Sequence, residues 1–349
     1  MSLTSNQHPI VLAIDMMGGD FGLDTTLPAC RDFCAHHPNA QLRLVGDEAA
    51  IKAHPNAAAL LALPQVHIIH APEVVTMDDP LEVALRRKKN SSMRIAINQV
   101  KDAQAQAAVS AGNTGALMAI AQFVLKTLDG IERPAIASML PNAMGTGTTV
   151  LDLGANVDCS AEHLQQFGLM GSAFVSATMS HSHASNPRVG LLNIGHEDIK
   201  GNKVVKLAAP LLKASPIHFI GNVEGSDIFK GTVDVVVCDG FVGNVLLKTT
   251  EGFSGLVRNR LNHSFKSTLW RKLGALFALP ALNAFKSEFD SRKFNGAALL
   301  GLRGVVIKSH GGADAVAFGY ALQRAHDAVA HDMLNKTSAM LAQLHAQQN

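Results

Sequence analysis

The chain is poor in most features that mark a specialised class. It has four cysteines in 349 residues, Cys30, Cys34, Cys159 and Cys238, and no C-x-x-C pair. A disulfide scaffold is excluded, and the thiols read as reduced, in a cytosolic setting. Charged residues make up only 17% against 47% apolar, the reverse of a disordered chain. Lys and Arg number 30 and Asp and Glu 28, so the net charge of +2 offers no basic excess for a nucleic acid. No H-E-x-x-H occurs. His36-His37 and His181-x-His183 are poorly spaced for metal ligands, and no metal is expected. No G-x-S-x-G elbow marks a serine hydrolase. No P-loop is present, and Gly145-Thr146-Gly147 lacks a third glycine and precedes a strand, so no nucleotide cofactor is expected. The opening residues MSLTSNQHPI do not read as a signal peptide. The uncharged runs Ala103–Leu125 and His163–Pro187 are too broken by polar residues and glycine to span a bilayer.

Short apolar strands alternating with helical segments are abundant. Val11–Ile14, Gln41–Val45, Val66–His70, Ala105–Ser110, Thr148–Leu153, Arg188–Ile194, His218–Ile220 and Val233–Cys238 read as strands. Asp78-Asp79-Pro80 opens a helix with acids and proline in its first turn, and Ala313–Gln347 has helical spacing. The pattern predicts an α/β fold with a mainly parallel sheet covered on both faces, as one large domain over 1–349. Leu256 to Lys293 interrupts it without a strand signal. This segment carries eight basic residues and two acids, a net +6, which leaves −4 for the rest of the chain. With its apolar middle, Leu273–Phe285, and the sole tryptophan, Trp270, it reads as an inserted helical hairpin bent at Pro280.

Three strand-to-helix turns share one chemistry: Ser110-Ala111-Gly112-Asn113-Thr114, Leu153-Gly154-Ala155-Asn156, and Asp239-Gly240-Phe241-Val242-Gly243-Asn244. Glycine admits a ligand close to the backbone, a helix N-terminus presents free N–H groups, and Asn adds a neutral donor. Such turns at a sheet's carboxyl edge suit a small anion, and without a nucleotide fingerprint that anion is a phosphate. Lys200, after another strand, is placed to hold a phosphate as a point charge or to be a solvated loop lysine. Arg86-Arg87-Lys88-Lys89 is a solvated helix end, a phosphate contact or a dock for an acidic partner. His310, after Val305–Ile307, is either an acid/base or orienting group or a buried structural histidine.

Longer motifs resemble the bacterial phosphate acyltransferases of phospholipid synthesis. They are Ala13-Ile14-Asp15-Met16-Met17-Gly18-Gly19-Asp20-Phe21-Gly22, the Ser110–Met118 turn, the run from Leu151 to Cys159, Leu191–Asn202, Asp239–Glu251, and Asn295–Gly304 with His310-Gly311. Met16 departs from the family's usual alanine, and Gly312-Ala313 from its small hydroxyl residues. The resemblance implies a Rossmann-like three-layer αβα fold, similar to phosphotransacetylases and the isocitrate-dehydrogenase-like group. It implies transfer of a fatty-acyl group from acyl carrier protein to inorganic phosphate. It further implies a cytoplasmic homodimer at the membrane periphery that supplies acyl phosphate to a membrane glycerol-3-phosphate acyltransferase.

The residues suit that chemistry. Phosphate is already an anion and a thiolate leaves readily, so the demand is for donors that gather the anion and stabilise an oxyanion. Lys200 and Asn244 are the expected catalytic pair. Gly18, Gly19, Gly112, Asn113, Thr114, Asn156, Asn202, Gly243 and His310 are expected to contact substrate or phosphate, with the Asn113 and Asn156 turns completing one pocket. Asp15, Asp152 and Asp239 are expected there too, as orienting groups. A covalent route through Cys159 or Cys238 is the competing mechanism. A phosphotransacetylase acting on acyl-coenzyme A and a nicotinamide-dependent dehydrogenase are the rival activities. The basic, apolar 256–293 segment suits an anionic bilayer surface or a dimer contact, and its cations or those at Arg86–Lys89 suit acidic carrier protein.

Overall fold

The eight strands read from the sequence recur, with bounds moved by up to three residues, in the computed structural model, which describes residues 9–179, 184–268, 270–271, 276–280 and 290–348. In chain order the strands are β1 (Val11–Asp15), β2 (Gln41–Gly46), β3 (Val66–His70), β4 (Ala107–Ser110), β5 (Ala135–Leu140), β6 (Thr148–Leu151), β7 (Arg188–Leu192), β8 (His218–Val223), β9 (Val235–Val237), β10 (Ala297–Leu300) and β11 (Val305–Lys308). They form one sheet in the order β3-β2-β1-β4-β11-β10-β5-β6-β9-β7-β8. Sequence reading missed β5 and did not single out β10. Both begin with alanine, and both pair antiparallel to their neighbours.

Those two strands decide the geometry. β1, β2, β3, β4 and β11 are mutually parallel. β6, β9, β7 and β8 are also mutually parallel. The intervening antiparallel pairings, β11 with β10, β10 with β5 and β5 with β6, give the second group the opposite sense. The carboxyl ends of the two groups therefore leave the sheet by opposite edges.

Helices cover both faces. They are α1 (Leu23–His36), α2 (Glu48–Ala53), α3 (Ala58–Leu61), α4 (Ser92–Lys101), α5 (Thr114–Leu125), α6 (Ala161–Thr178), α7 (Lys203–Lys213), α8 (Gly225–Lys230), α9 (Gly240–Lys266), α10 (Ala315–Ala330) and α11 (Met333–Gln348). The strands obey period-two alternation: Leu12 and Ile14 enter one core with α1, α6 and α10, while Ala13 enters the other with α4 and α5. Short polar side chains start the helices at strand ends. Asn113, Ser160, Asn202, Asp239 and Asp314 each accept a first-turn N–H.

Three details differ from expectation. The helix opened at Asp78 ends as a single π turn, Val83–Arg87, and Lys88 is not a free cation: it reaches Asp79 at 2.5 Å and the Val74 carbonyl at 2.8 Å. The C-terminal stretch is two helices, broken at Asp332, whose φ of 59° no helix accepts. The basic segment does not begin a new element at Leu256, because α9 runs unbroken from the strand-end turn at Gly240 to Lys266. Residues 276–280 are helical, and the expected return after Pro280 falls in 281–289, outside the described residues, as does His181-x-His183.

Arg188 at the start of β7 donates through Nε and Nη2 to the buried Asp234 carboxylate, each at 2.9 Å, and fixes β7 against the approach to β9. Asp234→Ala is expected to lower unfolding stability by about 3 kcal/mol, the scale for stranding one partner of a largely buried pair, measured by denaturant titration.

Candidate active site

At the β6–β9–β7 edge the organising group is a carboxylate with no ion-pair partner among the described residues. Asp152 is fully buried and accepts the N–H groups of Ile136 (2.9 Å), Ala155 (3.1 Å) and Asn156 (2.6 Å), and the Asn156 amide (3.0 Å). Burial pushes its carboxyl above the usual range, and these donors pull against that. The Asn156 amide also reaches the Pro134 carbonyl at 2.8 Å, so Asn156 shapes the turn and has no donor left for an anion.

The first turn of α9 lies directly on this loop. Asp239 caps the helix through Val242 N–H at 2.8 Å, and Gly240 N–H donates to the Asn156 carbonyl at 2.8 Å. A Cβ at Gly240 would stand 2.7 Å from that oxygen, and one at Gly243 would overlap the Asp152 carbonyl. Only glycine allows this approach, which sets the exposed Asn244 side chain against Gly154.

The adjacent turn, after β7, is held by side chains that sequence reading missed. Asn193 donates through Nδ2 to the Lys200 carbonyl (3.3 Å) and accepts Ile194 N–H (2.8 Å). His196 Nδ1 donates to the Asn222 carbonyl (3.1 Å), with Nε2 3.6 Å from the Asp227 carboxylate. Asn202 caps α7 through Val205 N–H (2.9 Å). Lys200 is exposed, and neither its ammonium nor the Asn244 amide makes a hydrogen bond among the described residues.

The opposite edge carries a second constellation. Asp15, buried at the end of β1, accepts the Ser110 hydroxyl at 2.6 Å and Met17 N–H at 3.2 Å; burial raises its carboxyl, and Ser110 and Ser92 offset this in part. Gly18 closes on it, since a Cβ there would lie 2.7 Å from both Asp15 Oδ2 and Gly112 N. Gly19 packs against Ala111 and the Gly311 carbonyl. Lys308, at the end of β11, is buried and donates to the Ala111 carbonyl (3.2 Å) and the Ser309 carbonyl. Burial pushes its ammonium down to about 8, against the opposing pull of Asp15 and Asp20. Asn113 is committed on both sides of its amide, accepting Ala116 N–H (2.9 Å) and donating to the Met77 carbonyl (2.7 Å). Thr114, at the head of α5, is exposed. His310 is exposed, not a buried structural histidine; its Nδ1 accepts Gly312 N–H at 3.1 Å, which leaves the proton of the neutral ring on Nε2.

The expected pocket is therefore not gathered in one place. Asp152, Asn156, Lys200, Asn202, Asp239, Gly243 and Asn244 share one edge. Asp15, Gly18, Gly19, Gly112, Asn113, Thr114 and His310 share the other, and among the described residues no hydrogen bond or ion pair joins the two groups. The thiols are poor nucleophiles. Burial, then Asp152, raises Cys159 to about 11, and Cys238 is raised well above its ordinary value. Both donate to carbonyls, and neither has a histidine partner. Two open cavities, of about 450 and 390 Å³, meet at Glu132 and are lined by none of the candidate residues. Among the described residues no cluster of His, Cys, Asp and Glu is placed to hold a metal ion, and no helix is long and apolar enough to cross a membrane.

Comparison with known proteins adds three findings. A family model described as fatty acid synthesis protein matches residues 10–336. A phosphate acyltransferase of Bordetella parapertussis is 59% identical over 335 residues, covering 96% of this chain and 94% of the relative. One from Polaromonas sp. is 57% identical over 337 residues, covering 95% and 90%. Among solved structures, the EutD phosphotransacetylase from Staphylococcus aureus superposes with a TM-score of 0.58 at 15% identity, over 92% of this chain and 94% of that one. A 4-hydroxythreonine-4-phosphate dehydrogenase from Klebsiella pneumoniae gives 0.52 at 12%, over 92% and 99%. These structures share the fold.

The buried lysine sets a pH dependence. Lys308 releases its proton near pH 8 when folded but near 10.5 when unfolded, so the unfolded chain binds more protons between those values and stability rises with pH there. Below pH 8 the cost of burying the charge is fully present. The Lys308 contribution to this rise, up to about 3 kcal/mol, is expected to vanish in Lys308→Met, measured as the difference between the two proteins' pH–stability curves.

Proposed function

We propose, from the premise that the chain belongs to the phosphate acyltransferase family of fatty acid synthesis proteins and is an acyltransferase, that it moves a fatty-acyl group from acyl carrier protein to inorganic phosphate. The products are acyl phosphate and free carrier. The observation that carries this reading is the division of labour at the β6–β9–β7 edge. The carboxylates of Asp152 and Asp239 and the amide of Asn156 are spent on backbone partners, while the Lys200 ammonium and Asn244 amide stand free at the surface.

A phosphate oxygen attacks the thioester carbonyl carbon, the C–S bond breaks, and the proton carried by hydrogen phosphate passes to the departing thiolate. No general base is required. Lys200 draws the dianion to the edge and Asn244 supplies a neutral donor to the developing oxyanion. Asp152, Asn156, Asp239 and Gly243 position that donor, and Asn202 anchors the turn that carries Lys200. Gly18, Gly19, Gly112, Thr114 and His310 form a second substrate-contact region on the other edge, held in shape by Asp15 and Asn113. The high thiol values of Cys159 and Cys238 favour direct attack over an acyl-cysteine.

The exposed face of α9 presents Phe241, Val245, Phe253 and Leu256, a stripe suited to the same helix of a second subunit. Beyond it, Trp270, Leu276 and Phe277 are exposed beside Arg271, which suits an anionic membrane surface where a glycerol-3-phosphate acyltransferase would consume the product.

Lys200→Ala and Asn244→Ala are each expected to lower turnover about 100- to 1000-fold with the fold intact. The assay is phosphate-dependent thiol release from acyl carrier protein. Equal activity with acyl-coenzyme A would favour a phosphotransacetylase instead, and unchanged turnover in Lys200→Ala would remove its assignment. In liposome flotation, Leu276→Glu with Phe277→Glu is expected to abolish binding to anionic vesicles; retained binding would count against membrane contact.

A further inference from the structure

The larger of the two cavities that meet at Glu132, about 450 Å³, has a cationic wall outside the candidate site. Phe123, late in α5, is 58% exposed, and its ring carries two cations. The Arg94 guanidinium lies 5.2 Å from the ring centroid and the Lys126 ammonium 5.0 Å. Arg94 is fixed there by a hydrogen bond to the Leu85 carbonyl at 3.0 Å. Lys126 ends α5 at φ 63°, a conformation that favours glycine, and still carries its side chain onto the ring. Leu85 belongs to the π turn that also exposes Arg86 and Arg87. Three acids at this rim are already engaged: Glu132 with His163 at 2.8 Å, Asp129 with Arg303 at 2.6 Å, and Glu82 with Arg86 at 3.7 Å. Arg87, Arg94 and Lys126 have no carboxylate partner among the described residues.

We infer that this wall docks the acidic carrier protein that brings the thioester, and this rests on the functional reading above. Position supports it. α5 starts at the carboxyl end of β4 and returns along it, and the sheet reverses between β4 and β6. The far end of α5 therefore lies at the edge where β6, β9 and β7 release their turns. Two contacts join the cavity to the site there. Beside Glu132, Arg133 donates to the Asp158 carbonyl at 3.1 Å, and the Pro134 carbonyl accepts the Asn156 amide at 2.8 Å. A carrier protein delivers its thioester on a flexible phosphopantetheine arm, so its body must sit beside Lys200 and Asn244 and not on them. Charge selects the occupant. Cations without carboxylates on an exposed helix end attract the acids of a partner and speed its encounter. Arg94 is already held in place, so less order is lost when it is met. An anionic bilayer would need apolar side chains to enter it, and Phe123 is the only exposed large one among the described residues that line the cavity.

The test measures binding of fluorescently labelled holo-carrier protein, and the steady-state constants for its hexadecanoyl thioester, in the full-length protein. Arg87→Glu with Lys126→Glu is expected to weaken binding about tenfold and to raise KM likewise, with kcat retained. The salt dependence of KM is expected to flatten in the same variant. Lys126→Arg is expected to bind as the wild type does. Phe123→Ser provides a second measurement of Kd and KM should the double variant misfold. Unchanged Kd and KM, in a wild-type protein whose thiol release from the carrier depends on phosphate, overturn the dock alone. A fall in kcat at unchanged Kd also overturns it. Weakened binding in Arg258→Glu with Arg260→Glu, and not in the cavity variant, overturns it in favour of the basic end of α9. Lost binding to anionic vesicles with carrier affinity intact overturns it in favour of a bilayer. A wild-type protein that binds no carrier but releases thiol from acyl-coenzyme A with phosphate overturns the functional reading and the dock with it.

Discussion

A buried carboxylate with no ion-pair partner among the described residues is the constraint on which the β6–β9–β7 edge depends. Asp152 is charged only if its oxygens are solvated by something, and the chain supplies that solvation from its own backbone. Three N–H groups from the start of β5 and the β6 turn converge on it, with one side-chain amide. Their convergence folds the 152–156 loop tightly enough that α9 can begin only with glycine at 240 and 243. Asn244 is presented at the surface because the residues beneath it are satisfied internally. Backbone solvation holds Asp152 without a counter-ion, so the attraction of an anion to this edge falls to Lys200.

The same device appears on the other edge with a different balance. Asp15 is solvated by Ser110 and by backbone N–H groups, and a buried lysine is added behind the neighbouring turn. Lys308 spends hydrogen bonds on two carbonyls, which ties the β4 turn to the β11 turn instead of presenting a charge outward. The two edges are therefore unequal. One exposes free donors, and the other is closed on itself, with glycine backbone and the His310 ring at its surface. The antiparallel β10–β5 pair creates this inequality by reversing the sheet between them.

Much of this was legible in the sequence, because period-two apolar runs and Asp, Asn or Ser caps are local signals. β1, β2, β3 and β7 were readable to within a residue or two for that reason. The partition of the site was not. Whether the Asn113 and Asn156 turns share an edge depends on the direction of β5 and β10, and an Ala-Ile-Ala-Ser-Met-Leu strand carries no mark of its direction. Asn113 and Asn156 look alike as donors in sequence; only the partners show that Asn156 has spent both amide protons, on Pro134 and Asp152, and Asn113 one, on Met77. Lys308 escaped notice because a lysine ending a strand usually points to water. The frame around Lys200 escaped because Asn193, His196, Asn222 and Asp227 come from three separate segments.

The charge distribution gives α9 a particular meaning. With 27 residues it is about 40 Å long at 1.5 Å per residue, and it is continuous from the glycine turn beneath Asn244 to the start of the strongly basic stretch. Both signs meet at the site end, where Glu197 and Asp198 flank the Lys200 turn and Arg133 and Lys203 are exposed close by, while cations predominate at the far end, where Arg258, Arg260 and Arg271 lie. Placed in one cluster, these groups would neutralise each other and give a featureless surface. Held apart by a helix several Debye lengths long, each end acts on its surroundings independently. The near-zero net charge of the chain thus conceals a strongly basic stretch, +6 over 256–293, set against −4 spread over the rest and joined to the site edge by one unbroken helix.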